Sequence, residues 1–321
     1  MGITKEDKLQ IRRFKKQMVR EKRSLGASPV ELESLSKVHN EDGTYEEDDG
    51  LGYLEDDDGR DVENDKLIRQ HVTHGFHLVE GEMGYKMEDY IVAKNKEVNG
   101  CELGLYAIFD GHGGRDVAEY LQNHLFERIL KEPDFFTSPK AAIKRAYRDI
   151  DNEISKNIDG SRGSTAVTAI LINGEKLIVA NVGDSRAILC RNGAAKAIQI
   201  TVDHEPQKER EMVERRGGFV IQMPGDVPRV DGKLAMTRAF GDESLKEHIT
   251  AEPDTVIEMI DADTEFIILA SDGVWKVMSN QEAFDCIKGL SNAQEASKKL
   301  VEEALRRESY DDISCIVVMF R

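Results

Sequence analysis

"YAIFDGHGG" (residues 106–114) and "FIILASDG" (residues 266–273) decide how this chain is read. Each is an apolar run that ends in an aspartate followed by glycine. Such a run predicts a buried strand bounded by a turn. A single Asp-Gly after a strand is an ordinary turn. Two of them, the first continued by His112, Gly113 and Gly114, ask for more than a turn.

Working outward, "STAVTAILING", "KLIVANVGDSRAILC", "AKAIQI" and "DISCIVVMF" are further short runs bounded by Gly, Asn and Asp. "INGEK" (172–176) and "RNGA" (191–194) sit between such runs and read as hairpin turns, so the middle of the chain pairs antiparallel. Helical spacing appears at 115–132, where Val117, Leu121, Leu125 and Ile129 form one stripe. It returns at 138–156, opened by Ser138 and Pro139, in "NQEAFDCIKGL", and at 292–308. Hairpins in the middle and helix pairs between other strands predict an α+β fold. Antiparallel sheets with helices on their outer faces would bury both kinds of stripe.

The 321 residues carry a net charge of −17, which argues against nucleic acid or an anionic membrane as partner. The four cysteines have no zinc-site spacing and read as reduced thiols, consistent with a cytoplasmic or nuclear location. No apolar stretch approaches the roughly 18 residues of a membrane span. Residues 1–70 stand apart. Residues 5–23 are basic and helix-like, while 41–65 are acidic with Arg60 as the lone basic residue. Such a segment buries too little apolar surface to offset its ordering entropy, so a disordered tail over 1–70 is expected before a folded domain over 71–321. A monomer is the default expectation.

Acidic residues collect at the ends of the apolar runs: Glu88 and Asp89, Asp110, Asp184, Asp272, and Asp311 with Asp312. If these ends share one edge of a sandwich, the carboxylates crowd together. They can all stay ionised only beside a cation. Oxygen-only donors select Mg²⁺ or Mn²⁺ over zinc. Asp110 is then a metal ligand, and Gly111 lets the backbone approach. Two such metals activate a water for in-line attack on phosphorus. His112 stands where it can protonate the leaving oxygen.

The strings "MEDY", "FDGHGG", "GSTAV", "VANVGDSRAIL", "DHEP", "LAMTRAFGD", "ASDGVW" and "DDISCIVV" occur in the order of a known family. The chain resembles the metal-dependent protein phosphatases of type 2C, in wording closest to plant-like members. The resemblance implies a central antiparallel β-sandwich flanked by helix pairs, a four-layer α-β-β-α arrangement. It implies hydrolysis of phosphoserine and phosphothreonine in phosphorylated proteins with two Mn²⁺ or Mg²⁺ ions. Carried over motif by motif, Asp110 bridges both metals and the Gly111 carbonyl binds one. Glu88 binds a metal or its waters, with Asp89 behind it. Asp272 and Asp311 bind the second metal, and Asp312 stands behind Asp311. Asp184 and Asp272 share a weaker third. His112 matches the general acid.

One position departs from the pattern. Where many members carry a phosphate-gripping arginine, four residues before Glu88, this chain has Gly84. If residues 84–88 are extended, alternation puts Lys86 on the face of Glu88, where it could replace that arginine. The competing reading is a catalytically weak relative that binds phosphorylated partners without turning them over. A metal-dependent nuclease would fit the carboxylates but not the acidic charge balance.

Overall fold

The computed structural model describes residues 71–321 apart from 192–195. The expected tail over 1–70 and the turn in "RNGA" lie outside the described residues.

The described part begins with β1 (Thr73–Val79), β2 (Asp89–Val98) and β3 (Cys101–His112). Helices α1 (Asp116–Lys131) and α2 (Pro139–Asn157) follow. Next come β4 (Gly163–Ser164), β5 (Ala166–Ile172), β6 (Lys176–Val182), β7 (Arg186–Arg191) and β8 (Lys196–Gln199). A short helix α3 (Arg210–Arg215) precedes β9 (Val220–Gln222), β10 (Pro228–Val230) and β11 (Phe240–Gly241). The rest is β12 (Asp254–Met259), β13 (Thr264–Ala270), α4 (Asp272–Trp275), α5 (Asn280–Ile287), α6 (Ala293–Arg306) and β14 (Ile313–Met319).

Two antiparallel sheets carry the fold. One has the order β1-β14-β13-β7-β8; the other runs β11-β4-β3-β5-β6-β12, with β2 also on β3. Alternation along the strands explains the unbroken apolar runs. Ala187, Leu189, Ile267 and Leu269 face Tyr106, Ile108, Val167 and Ala169 across the sandwich. Their neighbours Ile188, Cys190, Phe266 and Ile268 face the other way, onto Phe284, Ile287, Leu300 and Val301 of α5 and α6. Both faces of β7 and β13 are therefore buried, and neither strand can show the polar alternation of a half-exposed one. On the far side, Val117, Leu121, Leu125 and Ile129 of α1 are buried together with Ile143, Tyr147 and Ile150 of α2. Tyr147 Oη is 2.8 Å from Thr168 Oγ1, which ties α2 to β5. The four-layer expectation holds.

Local chemistry sets the boundaries. Asn173 and Gly174 both have positive φ, as the tight β5–β6 hairpin demands. Pro139 opens α2, and Ser279 with Glu282 forms a capping box on α5. Strand β3 does not stop at Asp110. It continues to His112 because β4 pairs with Gly111 and His112 after β5 has ended. Residues 82–85 form a bend and 86–88 are irregular, so β2 begins only at Asp89. Among the described residues no helix is long and apolar enough to cross a membrane, and Cys101, Cys190, Cys286 and Cys315 form no disulfide.

Candidate active site

Strand pairing builds the first half of the site. In the β2–β3 register Asp89 stands opposite Asp110. The Gly111 N–H donates to the Glu88 carbonyl at 3.2 Å. A Cβ at residue 111 would lie 2.7 Å from that oxygen, so a larger residue would push the two segments apart. Asp110 is fixed from its other side. Its carbonyl accepts from Thr165 N at 2.9 Å. Its N–H donates to Thr165 Oγ1 at 3.2 Å, and that hydroxyl is 2.8 Å from Ser185 Oγ.

His112 is the last residue of β3 and stands opposite Gly163. Its Nε2 is 2.7 Å from Asp242 Oδ2. Any Cβ at Gly163 would collide with both groups, so glycine is what permits the pair. Asp242 itself sits in the left-handed region at φ 50°, and His112 Nδ1 is buried without a partner. The sequence reading missed Asp242. It lies in the quoted "LAMTRAFGD", but nothing there marks its carboxylate as a partner for a residue 130 positions away.

The second half comes from the other sheet. Asp272 is the first residue of α4, separated from β13 by Ser271 alone, and Asp311 lies two residues before β14. Asp312 accepts from Gly81 N and Glu88 N, each at 2.7 Å, one on each carboxylate oxygen. Asp312 is thus spent on clamping the approach to β2. Asp311 instead meets Tyr85 Oη at 3.3 Å and Lys276 Nζ at 2.7 Å. Lys276 Nζ also lies 2.6 Å from Asp272 Oδ2. Asp184 sits in the β6–β7 turn, and its Oδ1 is buried without a partner.

Electrostatics show the convergence. Burial holds the Asp110 carboxyl well above its ordinary range, and the charges of Asp89, Asp272, Asp184 and Asp311 push it further. One carboxylate feels four others only when all five gather from separate segments. Burial raises Asp89 to about 7, and burial with the Asp272 charge raises Asp184 to about 7. Glu88 is raised by burial and by Asp312, while His112, the Gly114 N–H and Arg162 act the other way. Burial opposes the charge on Lys276, but Asp272 and Asp311 together hold its ammonium well above the usual lysine range.

Other quoted residues fix loops. Arg186 makes two hydrogen bonds to Asp203, and Arg238 bridges Glu209 and Asp254. His204 is buried between Gly183 N and Asp254. Lys86 is exposed in the irregular stretch before β2. Gly84 has φ 84°, so the chain turns there, and the alternation that would align residues 84, 86 and 88 does not exist. The geometric argument for Lys86 on the face of Glu88 falls with it.

These features coincide with a known family. The family model for protein phosphatase 2C matches residues 82–313. The chain is 62% identical over 259 residues to a probable protein phosphatase 2C, number 28, of Arabidopsis thaliana, covering 80% of this chain and 76% of that protein. It is 56% identical over 260 residues to number 62 of Oryza sativa subsp. japonica, covering 79% and 89%. The fold matches a crystal structure of a serine-threonine phosphatase 2C from Toxoplasma gondii with a TM-score of 0.67 at 23% identity, covering 77% of this chain and 94% of that one. The chain belongs to the protein phosphatase 2C family. It is a metal-dependent serine/threonine phosphatase of the plant-like kind.

The residues present fit divalent cations. Every donor is oxygen, the unpartnered Asp184 Oδ1 is buried, and the carboxylates raise one another. A hard dication offsets such a surplus of negative charge. Among the described residues no three acidic, histidine or cysteine side chains already stand in ligating arrangement.

A pH effect follows from the raised carboxyls. Their folded pKa values exceed those of the unfolded chain, so the folded state binds extra protons. The resulting stability is complete below the unfolded carboxyl pKa of about 4 and is lost as pH rises through about 7. In chelator, lowering the pH from 8 to 6 is therefore expected to raise Tm relative to metal-saturated protein. Paired thermal melts check this, and identical pH slopes with and without metal would contradict it.

Proposed function

We propose that the chain dephosphorylates phosphoserine and phosphothreonine in protein substrates using two Mn²⁺ or Mg²⁺ ions and a weaker third. The observation that carries this is Asp110, a half-buried carboxylate opposite Asp89 in the β2–β3 register, on which Asp184, Asp272 and Asp311 also act. Asp110 would hold both ions. Glu88 and the Gly111 carbonyl would complete one side, and Asp272 with Asp311 the other. Asp184 would join Asp272 at the third, and Asp89 would support Asp110 from β2. When bound, such ions polarise the phosphoryl group and activate the attacking water.

The chain's own residues do the rest. Asp242 holds the His112 ring in place through Nε2 and leaves Nδ1 free of a protein partner. Nδ1 would then supply the proton to the leaving serine or threonine oxygen. Thr165 and Ser185 keep Asp110 in register, and Asp312 keeps Glu88 against it. A protein that only bound phosphorylated partners would need neither the His112–Asp242 pair nor the full carboxylate set.

Turnover of a phosphopeptide by the full chain tests this reading. Activity is expected with Mn²⁺ or Mg²⁺, to vanish in EDTA, and to return on adding metal. Full turnover in chelator would end the metal-assisted mechanism.

A further inference from the structure

The lysine at 276 has no part in the chemistry above, yet it touches two of the carboxylates assigned to one cation. Its Nζ lies 2.6 Å from Asp272 Oδ2 and 2.7 Å from Asp311 Oδ2. The position is built in. Asp272 is the first residue of α4 and Lys276 caps its end, and spacing of four puts both on one helix face. The Lys276 N–H also donates to the Asp272 carbonyl at 2.8 Å. Asp311 reaches the same ammonium from the loop before β14. Its other oxygen meets the Tyr85 hydroxyl, so Asp311 is held from two directions.

An ammonium and a divalent cation cannot use the same two carboxylate oxygens at once. Like charges repel, and each donor oxygen offers limited room. The lysine side chain is 55% exposed, so it can swing into water without disturbing the core. We propose that Lys276 is an internal counter-ion that competes with the metal for Asp272 and Asp311. It holds that half of the site together in the metal-free protein and sets the metal concentration at which the site loads. The inference rests on the assignment of Asp272 and Asp311 as ligands.

Two consequences have opposite signs. Removing the ammonium leaves the metal nothing to displace, so affinity rises. It also leaves the metal-free carboxylates without a counter-charge, so the metal-free fold weakens. Lysine elsewhere offers a control: Lys288 pairs with Asp285 on the exposed side of α5, away from the carboxylate cluster.

The experiment is Mn²⁺ and Mg²⁺ binding by calorimetry on the full chain, with thermal melts in EDTA and in saturating metal. Lys276→Met is expected to tighten the Kd of one binding event by about tenfold, the size of one unit charge removed near a partly exposed site. Its Tm should fall in EDTA but not in saturating metal. Lys276→Gln, which keeps a polar side chain, should tighten Kd similarly and stands in if the Met variant does not fold. Lys276→Arg and Lys288→Met should bind metal like the wild type. A lysine that served only as packing would lower Tm in both conditions and leave Kd unchanged, and that result overturns the proposal. Weaker metal binding in the Met and Gln variants overturns it as well. If the wild type binds neither metal, the ligand assignment itself fails; if it binds and the variants match it, only the competition does.

Discussion

Asp110→Asn is expected to lower kcat on a phosphopeptide by at least about 10³-fold, or roughly 4 kcal/mol of transition-state stabilisation. The substitution keeps size and shape, and the backbone hydrogen bonds that hold residue 110 to Thr165 do not involve its side chain. The fold should therefore persist. Stability should move the other way from activity. The charges of Asp89, Asp184, Asp272 and Asp311 all act on Asp110. Taking one charge from that group relieves repulsion, so the variant should melt at or above the wild-type temperature in chelator. A carboxylate kept for structure would show a loss of stability when neutralised. Turnover within tenfold of the wild type would remove Asp110 from the metal site.

His112→Ala should lower kcat by about 10²–10⁴-fold, the usual worth of a positioned proton donor. The loss depends on what leaves. A serine alkoxide needs a proton at departure, whereas an aryl oxide needs it far less. The variant should accordingly lose much more on a phosphopeptide than on an aryl phosphate. Equal losses on both substrates would contradict proton donation. Asp242→Asn should show a milder form of the same pattern, because it loosens the ring without removing it.

Much of this was legible beforehand, for identifiable reasons. The runs at 103–109 and 266–270 are buried on both faces, so their apolar character shows without any partner in view. The α1 stripe needs only local spacing. The carboxylates at 88, 89, 110, 184, 272 and 311 could be collected because each sits at an end of such a run. Pairings between distant segments were not legible. Asp242 reaches His112 through a left-handed turn and a glycine on a third strand, and no local pattern encodes that meeting. The strand argument for Lys86 failed for the opposite reason: alternation was extended past the point where Gly84 turns the chain. Lys276 lay in plain view, four residues after Asp272, but an acid and a base at that spacing are usually only a surface pair.

Strand β14 lies between β1 and β13, with Thr73 and Phe266 both opposite Met319. Its approach carries Asp311, and Asp312 reaches back to residues 81 and 88. The segment that closes this sheet is thus synthesised after every other described strand. During translation β1 has no neighbour to pair with until residues 313–319 have emerged, and half of the candidate site has no walls. Contacts separated by more than 220 positions make folding slow. A nascent chain of this phosphatase therefore cannot act on the proteins around it, and a message truncated before β14 yields a product without catalytic power.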